Sequence, residues 1–357
     1  MKTLYIVSTE SFSGKTSLCY GIAARMKRDG RRVGYFKPLV FFGRLVEGRT
    51  LSEDAPFMRV SLALKETDDL LAPNILDTLS IENAAAGKPN NYAERMDRAF
   101  AQVSVDKDVV LVEGAASLSE GTLVGLPPRE VAERLDARVL AVAKYNNDLA
   151  LDNVIAAQSV FADRFLGAVL NEVPRPRMEF LQETGIAALA ARGVRVYATI
   201  PQERLLLSMT VNEIAEVLDA EVVGATNYGH ELVENLMVGA MSMDTALSYF
   251  RRKPNKAVIT GGDRADIQLA ALETSTRCLV LTGNLRPNAL ILGRAEELGV
   301  PLIIAKQDTL TAVEIIQQYF GKIRLHQPRK VERFEELLNE RFNFARLYAD
   351  LGLDKQE

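Results

Sequence analysis

Short apolar runs alternate with helical patterns along the first two hundred residues. The runs that are apolar at nearly every position are Leu4–Ser8, Val33–Phe36, Val109–Val112, Val139–Ala143, Ala168–Asn171 and Val194–Ile200. Such runs are typical of strands buried on both faces of a parallel sheet. Leu18, Ile22 and Met26 form a helical stripe after the first run, and Gly30 is placed to end that helix. The alternation predicts an α/β fold with a doubly wound, mostly parallel sheet, and loops and helices over the less regular residues 40–108.

A second alternating pattern of short strands and helices is predicted after residue 215. Its strands are predicted at Lys256–Thr260, Cys278–Thr282 and Leu302–Ala305. We therefore expect a second, smaller α/β domain, joined to the first by a connector whose helix Thr210 or Asn212 caps. The predicted parts of the chain are residues 1–212, 213–321 and a C-terminal helical extension, 322–357.

The extension is predicted to be an amphipathic helix, because its apolar residues fall on one stripe. These residues are Val331, Phe334, Leu337, Leu338, Phe342, Phe344, Ala345 and Tyr348. The stripe can pack on its own domain or on a partner subunit, and the sequence leaves both open.

Composition narrows the class of protein. The chain is 48% hydrophobic and 25% charged with a net charge of −4, which is not the basic balance that nucleic acid requires. No apolar run approaches the roughly 20 residues of a membrane span, and no signal peptide precedes the first strand. Cys19 and Cys278 lie in apolar runs and are expected to be small buried side chains in a reducing compartment. We expect a cytoplasmic protein with no nucleic-acid or membrane partner.

The stretch "IVSTESFSGKTSLCYGI" carries the first chemical signal. A strand ends at Ser8, a short loop follows, and Gly14, Lys15 and Thr16 open a helix. A phosphate-binding loop needs this order, because backbone N–H groups, a lysine ammonium and a hydroxyl must meet at a helix N-terminus. The usual loop has a glycine five residues before Gly14, where this chain has Thr9. The context nevertheless predicts a nucleotide site.

Three further residues stand at predicted strand ends or near them. Lys37 follows the second strand in "YFKPL", Asp54 lies in "LSEDAPFM", and Glu113 ends "VVLVEG". Ligands of doubly wound sheets bind at these ends, and an acid there commonly holds Mg²⁺. The alternatives are a surface lysine for Lys37 and a helix-capping or ion-paired acid for Glu113.

Together these motifs resemble the dethiobiotin synthetase-type P-loop fold. In that family the loop is longer, and Ser8 stands here at the place of its leading glycine. Including "GAMSMDTALSYF", "VITGGDRADIQLAAL" and "LVLTGNLRPN", the chain resembles the N-terminal regulatory half of long bacterial phosphotransacetylases, a P-loop domain joined to a DRTGG domain. The acetyltransferase half of those relatives is not in this sequence, so we expect no acetyl transfer by this chain alone. Acetyl-CoA formation from acetyl phosphate by the pure protein would contradict that expectation.

The resemblance implies Mg²⁺ and ATP as cofactors. The implied nucleotide contacts are Ser8, Thr9, Glu10, Ser11, Phe12, Ser13, Gly14, Lys15, Thr16, Ser17 and Asn171. Thr16, Asp54 and Glu113 are the implied metal residues, and Lys15 and Lys37 the implied catalytic ones. By resemblance Asn171 reads the adenine edge, although a strand-terminal asparagine can equally cap a turn.

The turn "TGGDRADI" of the second domain has two readings. Asp263 can cap the following helix with Asp266 completing a capping box, or the turn can cradle a ligand with its N–H groups. Related domains commonly self-associate, so a homo-oligomer is expected. The apolar segment 233–250 is the candidate contact, with a simple internal core as its alternative.

Three functions remain open at this stage. The first is an ATP-binding regulatory or sensory protein whose nucleotide state acts on the second domain or on a metabolic enzyme as partner. The second is an ATP-dependent ligase of the dethiobiotin synthetase or cobyrinic acid a,c-diamide synthase class, acting on a small carboxylate or amine. The third is a degenerate loop kept as a scaffold, against which Lys15, Thr16, Asp54 and Glu113 all argue.

Overall fold

The computed structural model describes residues 1–41, 44–46, 49–322 and 327–353. The chain divides into two compact units. The first contains Met1–Gln202 together with the C-terminal helices, and the second contains Glu203–Ile323. The second unit is thus an insertion in the sequence of the first.

The first unit is built around a six-stranded parallel sheet. Its elements before the insertion are β1 (Lys2–Ser8), α1 (Lys15–Arg28), β2 (Val33–Phe36), β3 (Val40–Phe41), β4 (Arg44–Val46), β5 (Arg49–Leu51), α2 (Asp54–Ser61), α3 (Asp68–Leu71), β6 (Ile75–Leu76), α4 (Thr78–Ala85), α5 (Tyr92–Val103), β7 (Val109–Glu113), α6 (Pro128–Arg134), β8 (Arg138–Lys144), α7 (Ala150–Phe161), β9 (Phe165–Val173), α8 (Arg175–Phe180), α9 (Ile186–Ala190) and β10 (Val196–Pro201). The strand order is β10-β9-β8-β1-β7-β2, and every pairing in this sheet is parallel. The predicted α/β fold with a mostly parallel sheet is confirmed.

Burial explains why the strand pattern could be predicted. All five residues of β7 are buried, as are six of the seven in β1. Leu18, Ile22 and Met26 are buried on the side of α1 that faces the sheet. Gly30 adopts a left-handed conformation just beyond the end of this helix. Between β2 and β7 the residues that the structure describes form short strands and four helices, as the irregular pattern of residues 40–108 indicated.

The second unit holds a five-stranded sheet covered on both faces. Its elements are α10 (Arg204–Leu207), β11 (Met209–Thr210), α11 (Val211–Val217), β12 (Glu221–Val223), β13 (Leu232–Val233), β14 (Asn235–Val238), α12 (Met243–Phe250), β15 (Lys256–Gly261), α13 (Ala265–Leu272), β16 (Thr276–Thr282), α14 (Ala289–Leu298), β17 (Leu302–Ile304) and α15 (Thr309–Tyr319). The order is β12-β17-β16-β15-β14, with only the β12–β17 pairing antiparallel within this sheet. One apolar core lies under α12, α13 and α14, and another under α11 and α15.

Of the helix caps predicted in this unit, one is confirmed and one is wrong. Thr210 caps α11 and forms a capping box with Glu213, so one of the two predicted caps is confirmed. The predicted cap at Asp263 is wrong: α13 is capped at Arg264 without a side-chain hydrogen bond, and the Asp266 carboxylate pairs with Arg264 instead. An arginine two residues away competes for the acid that a capping box needs.

The C-terminal extension forms two helices, α16 (Pro328–Arg341) and α17 (Phe344–Leu351), where one was predicted. Asn343 separates them, because its side chain caps α17 by accepting from the Arg346 N–H. Both helices pack on the first unit, α16 against α1 and β10, and α17 against β10. A Cβ on Gly21 of α1 would stand 2.6 Å from Leu338, so α1 and α16 approach closely. The stripe therefore packs on its own chain.

The second unit contains a buried lysine, so we expect its free energy of unfolding to depend on pH. Lys256, at the start of β15, is fully buried and donates to the Ser275 carbonyl at 3.0 Å. Burial lowers the pKa of Lys256 from 10.5 to about 8. Because the folded pKa lies below the unfolded one, protonated Lys256 costs stability in full below pH 8, and the cost disappears as pH rises towards 10.5. This cost is roughly 3 kcal/mol. A substitution that removes the ammonium would remove this cost, but it would also lose the hydrogen bond to Ser275, which is worth about 1 kcal/mol.

We therefore expect Lys256→Met to raise the free energy of unfolding by about 1–2 kcal/mol at pH 7 and to give no gain near pH 10. Urea unfolding at both pH values measures this. Lys253→Met, at an exposed position, is the control. A gain of equal size at both pH values would show that the effect is packing rather than charge.

In the part of the chain that the structure describes, no helix combines the length and the apolar composition of a membrane span.

Candidate functional site

The loop between β1 and α1 is held by its own serines. Ser8 ends β1, and its hydroxyl lies 2.6 Å from that of Ser13 and also contacts the Glu10 backbone. Positive φ angles occur at Phe12 (55°) and Gly14 (89°) and not at Ser8. A serine is therefore tolerated in place of a leading glycine, because the left-handed positions lie later in the loop.

Asn171 fastens the loop from β9. Its amide donates to the Ser13 carbonyl at 2.8 Å, and a Cβ on Gly14 would stand 2.4 Å from the same amide nitrogen. Glycine is thus required at position 14 both by its φ and by this close approach. The structure places Asn171 against the loop backbone, and its reading of a base edge stays a prediction.

Lys15, Thr16 and Ser17 form the first turn of α1. No side chain caps this helix, so its first N–H groups face the loop. Among the described residues the Lys15 ammonium has no hydrogen bond or ion pair. Burial lowers the pKa of Lys15, and the charge of Lys37 acts in the same direction, while Glu113 and Glu120 oppose them. Within the described ranges this cation has no counter-ion in direct contact, and a phosphate would supply one.

Four predicted residues meet in one network. The Lys37 ammonium contacts Asp54 Oδ2 at 2.5 Å and Glu113 Oε1 at 2.8 Å. The Thr16 hydroxyl donates to Glu113 Oε1, also at 2.8 Å. Side-chain exposure is 12% for Lys37, 8% for Asp54 and 1% for Glu113, so these charges are largely removed from water. The strand ends bring together residues that are far apart in sequence.

The pKa of Lys37 follows from this network. Burial lowers it, but Glu113 and Asp54 together outweigh burial and raise the pKa above its ordinary value. Lys37 is therefore charged at neutral pH, and the surface-lysine alternative is wrong. Glu113 is an ion-paired acid as one alternative held, and the same carboxylate also accepts the Thr16 hydroxyl.

Two residues near this network were missed from the sequence. Tyr35 is fully buried, and its hydroxyl donates to Glu113 Oε2 at 2.8 Å. Tyr35 precedes Lys37 by two residues, the period of a strand face, which could have been the signal. Glu120 lies in the loop after β7, and its charge raises the pKa of Lys15. Its stretch, "AASLSEG", offered no recognisable pattern.

The remaining loop residues stand outside the network. Ser11 and Phe12 are exposed, and Thr9 donates its N–H to the Val142 carbonyl. Glu10 accepts from the Asn146 amide at 2.6 Å, which links the loop to the segment after β8.

The oxygen atoms at this site could bind Mg²⁺ only together with oxygen atoms of a bound ligand. No group of three or more described His, Cys, Asp or Glu side chains is arranged to hold a metal. Mg²⁺ commonly takes one or two carboxylates with phosphate oxygens and water. Thr16, Glu113 and Asp54 supply hard oxygen atoms of that kind beside the helix N-terminus. The residues fit a metal that arrives with a triphosphate.

The turn at Gly261 and Gly262 in the second unit is held by hydrogen bonds within the chain. Gln268 donates to the Gly261 and Gly262 carbonyls, and the Gly262 N–H donates to Thr282. A Cβ on Gly262 would stand 2.4 Å from the Leu285 carbonyl, so the next loop covers the turn. These contacts hold the turn in place although the cap predicted at Asp263 does not form, and ligand binding by the turn stays a prediction.

A parallel sheet, a loop and a Gly-Lys-Thr helix start together define a P-loop α/β protein. Residues 2–210 match the family model described as AAA domain, and residues 213–319 match the DRTGG domain. The first match covers more than half of the chain, so this protein belongs to that AAA domain family and carries a DRTGG domain after it.

The chain is also similar over its length to phosphate acetyltransferases. It is 25% identical to that of Pseudomonas aeruginosa over 100% of this chain and 53% of the relative. The corresponding values for Nitratidesulfovibrio vulgaris are 24%, 98% and 51%. The chain thus spans about half the length of these relatives.

Two solved structures show more distant similarity. Cobyrinic acid a,c-diamide synthase from Mycobacterium smegmatis, with bound ATP analogue and magnesium, is 21% identical with a TM-score of 0.36, covering 57% of this chain and 88% of that one. The CBS and DRTGG domains of Clostridium perfringens pyrophosphatase, complexed with diadenosine tetraphosphate, are 18% identical with a TM-score of 0.30, covering 44% and 74%. Both scores are too low to establish a shared overall fold.

Proposed function

We propose that this protein binds Mg·ATP and acts as a regulatory or sensory module. The observation that carries the proposal is the Lys15 ammonium, which lacks an ionic partner among the described residues at the open N-terminus of α1. Beside it, Thr16, Lys37, Asp54 and Glu113 form a network of hard oxygen atoms and one cation. Loop N–H groups, Lys15 and Thr16 together suit a triphosphate with its metal.

Each residue has a distinct role in this proposal. Lys15 would contact the β- and γ-phosphates, and Thr16, Glu113 and Asp54 would hold Mg²⁺. The metal neutralises phosphate charge when it is bound. Lys37, which pairs with Asp54 and Glu113, would be available to contact the γ-phosphate if these two acids held a metal instead. Asn171 keeps the loop in shape through Ser13.

The regulatory part of the proposal rests on the DRTGG domain and on the similarity to phosphate acetyltransferases. The second unit follows β10 directly in sequence, and the chain then returns to α16, which packs on α1. We propose that nucleotide binding in the cytoplasm changes the second unit and its hold on a metabolic enzyme or on a second copy of this chain.

Hydrogen–deuterium exchange tests this coupling. We expect Mg·ATP to slow exchange in the loop and to change exchange within Glu203–Ile323, and Lys15→Ala to abolish both effects. Isothermal titration with ATP, ADP and GTP, with and without Mg²⁺, identifies the nucleotide beforehand. Exchange changes confined to the first unit would leave nucleotide binding intact and reject the regulatory role.

Self-association is proposed for the second unit. In the segment 233–250, Met237 and Phe250 are core residues, whereas Met243 and Tyr249 are 45% and 37% exposed on α12. The segment thus serves the core and also leaves apolar surface free for contact. We expect light scattering to give a dimer at micromolar concentration. A monomer mass with and without Mg·ATP would assign these side chains to the monomer surface alone.

A ligase remains the second candidate because of one cavity. It has a volume of about 360 Å³, is mostly apolar, and includes Glu120, whose charge acts on Lys15. Its size suits a small molecule. If the protein is a ligase, a small carboxylic acid or amine will accelerate ADP formation by the wild type. Thr122→Trp, which fills this cavity, will then remove the acceleration and keep ATP binding.

A further inference from the structure

A cavity of about 610 Å³ lies between α3 and α5 in the first unit. Its lining includes an apolar floor, made by Leu70, Ala72, Ile75 and Ala99. A cavity of this volume suits a small organic molecule. It shares no lining residue with the phosphate loop, with the network around Lys37 or with the 360 Å³ cavity described above. It is therefore a separate candidate site.

The polar part of the lining comes mainly from α5. Arg95, Arg98 and Gln102 line the cavity together, because a spacing of three or four residues puts side chains on one face of a helix. Both arginines are exposed, and within the described ranges neither forms an ion pair with a carboxylate. Asp69 lines the cavity from α3 but contacts neither guanidinium. Two positive charges thus stand over an apolar floor without a counter-ion from the described residues.

Hydrogen bonds between the walls fix the shape of the cavity. Arg95 donates from α5 to the Pro73 carbonyl, which follows α3, at 3.2 Å. The buried Asn74 amide donates to the Tyr92 carbonyl at the start of α5 at 2.9 Å and to the Pro38 carbonyl at 3.1 Å. A ligand would therefore meet walls that are already joined, and binding would cost little ordering of the chain.

The arginines determine the chemistry of the ligand. Arg98 uses its Nε to donate to the Glu94 carbonyl at 3.2 Å, and its two terminal nitrogens have no hydrogen bond to a described residue. A guanidinium can donate from two nitrogens at once to a carboxylate or a phosphate. A phosphate monoester carries about −1.5 to −2 charges at neutral pH and suits two guanidinium groups better than a carboxylate does. Asp69 repels an anion, which directs the acid group to the α5 side.

We propose that this cavity binds a phosphate monoester with an apolar body. Arg98 donates to the phosphate, Arg95 adds its positive charge, and Gln102 donates to a further oxygen atom. The apolar body lies on the floor that Ile75 and Ala99 help to form. This inference goes beyond the proposed function and does not depend on nucleotide binding by the loop.

Isothermal titration of the full chain tests this site with phenyl phosphate, benzoate and inorganic phosphate. The protein carries Lys15→Ala and is titrated without Mg²⁺ or nucleotide, so that the phosphate loop does not compete for the probes. We expect phenyl phosphate to bind at least about tenfold more tightly than inorganic phosphate, which lacks the apolar body, and than benzoate, which lacks the second charge. Adding Arg98→Ala will weaken phenyl phosphate binding about ten- to a hundredfold.

Arg192 offers a matched control. It is an exposed arginine of the first unit, and it also donates to the carbonyl four residues earlier, that of Ala188, at 2.9 Å. It lines neither of the two cavities. Adding Arg192→Ala instead of Arg98→Ala will keep the affinity for phenyl phosphate, and equal melting temperatures will show that both variants are folded.

Three outcomes would overturn the proposal: no binding of phenyl phosphate, equal affinity for all three probes, or equal losses from the Arg98 and Arg192 substitutions. None of them bears on Mg·ATP binding by the wild type, which is measured separately. Failure of nucleotide binding would in turn leave the phenyl phosphate result unchanged.

Discussion

Replacing Lys15 with alanine is expected to weaken Mg·ATP binding ten- to a hundredfold. Lys15 has no hydrogen bond or ion pair with the described residues, so its truncation breaks no polar contact with them. The loss then reports a charge-assisted contact to phosphate, worth about 1.5–3 kcal/mol. Isothermal titration of wild type and variant under identical Mg²⁺ concentrations measures it.

Lys88→Ala controls for the loss of one positive charge, since Lys88 is an exposed residue of the first unit that contacts only Asn83 among described side chains. It should bind Mg·ATP like the wild type. Equal ATP affinity in wild type and Lys15→Ala would remove the phosphate-loop assignment. A loss in both variants would indicate general electrostatic attraction instead.

Lys37→Met is expected to lower the free energy of unfolding by about 3–5 kcal/mol in the absence of nucleotide. The substitution leaves Asp54 and Glu113 close together and largely buried without the cation that both contact. The raised pKa of Lys37 means that its ammonium is charged at pH 7 and that its stabilisation is lost as the pH becomes strongly alkaline. Urea unfolding at pH 7 therefore measures the full effect.

Lys107→Met is the matched comparison, because Lys107 contacts a single carboxylate among the described side chains, that of Glu66, at 2.8 Å with similar exposure. Its loss should cost only about 1 kcal/mol. Millimolar Mg²⁺ should restore part of the stability of Lys37→Met and none of that of Lys107→Met, since only the former leaves two acids together. Equal losses in the two variants would mean that the second carboxylate adds nothing.

The sequence predicted the parts of the site that depend on local order. Strand, loop, Lys15 and Thr16 follow one another, so their meeting needs only a correct strand and helix. Lys37 and Glu113 could also be placed, because parallel strands bring their carboxyl ends to one edge of the sheet. Both strands could be predicted from continuous apolar runs, because β1 and β7 are buried on both faces of the sheet.

Residues whose partners come from other elements could not be placed in this way. Tyr35 looks like an ordinary core residue until β7 puts Glu113 beside it. Glu172 pairs with Lys144 only through the register of β8 and β9. The short strand β14 was missed as well, since it has only four residues and its half-buried positions, Leu236 and Val238, are apolar and hide the alternation.

The packing of α16 on α1 has a consequence for synthesis on the ribosome. Tyr20 of α1 bonds to Glu335, 315 residues later, and Gly21 packs against Leu338. The helix that begins with Lys15 therefore acquires its cover only after the whole second unit has been translated. Domains commonly fold in order as they emerge. Here the inserted unit can complete its own core while the earlier one still lacks the cover that α16 gives to Tyr20 and Gly21.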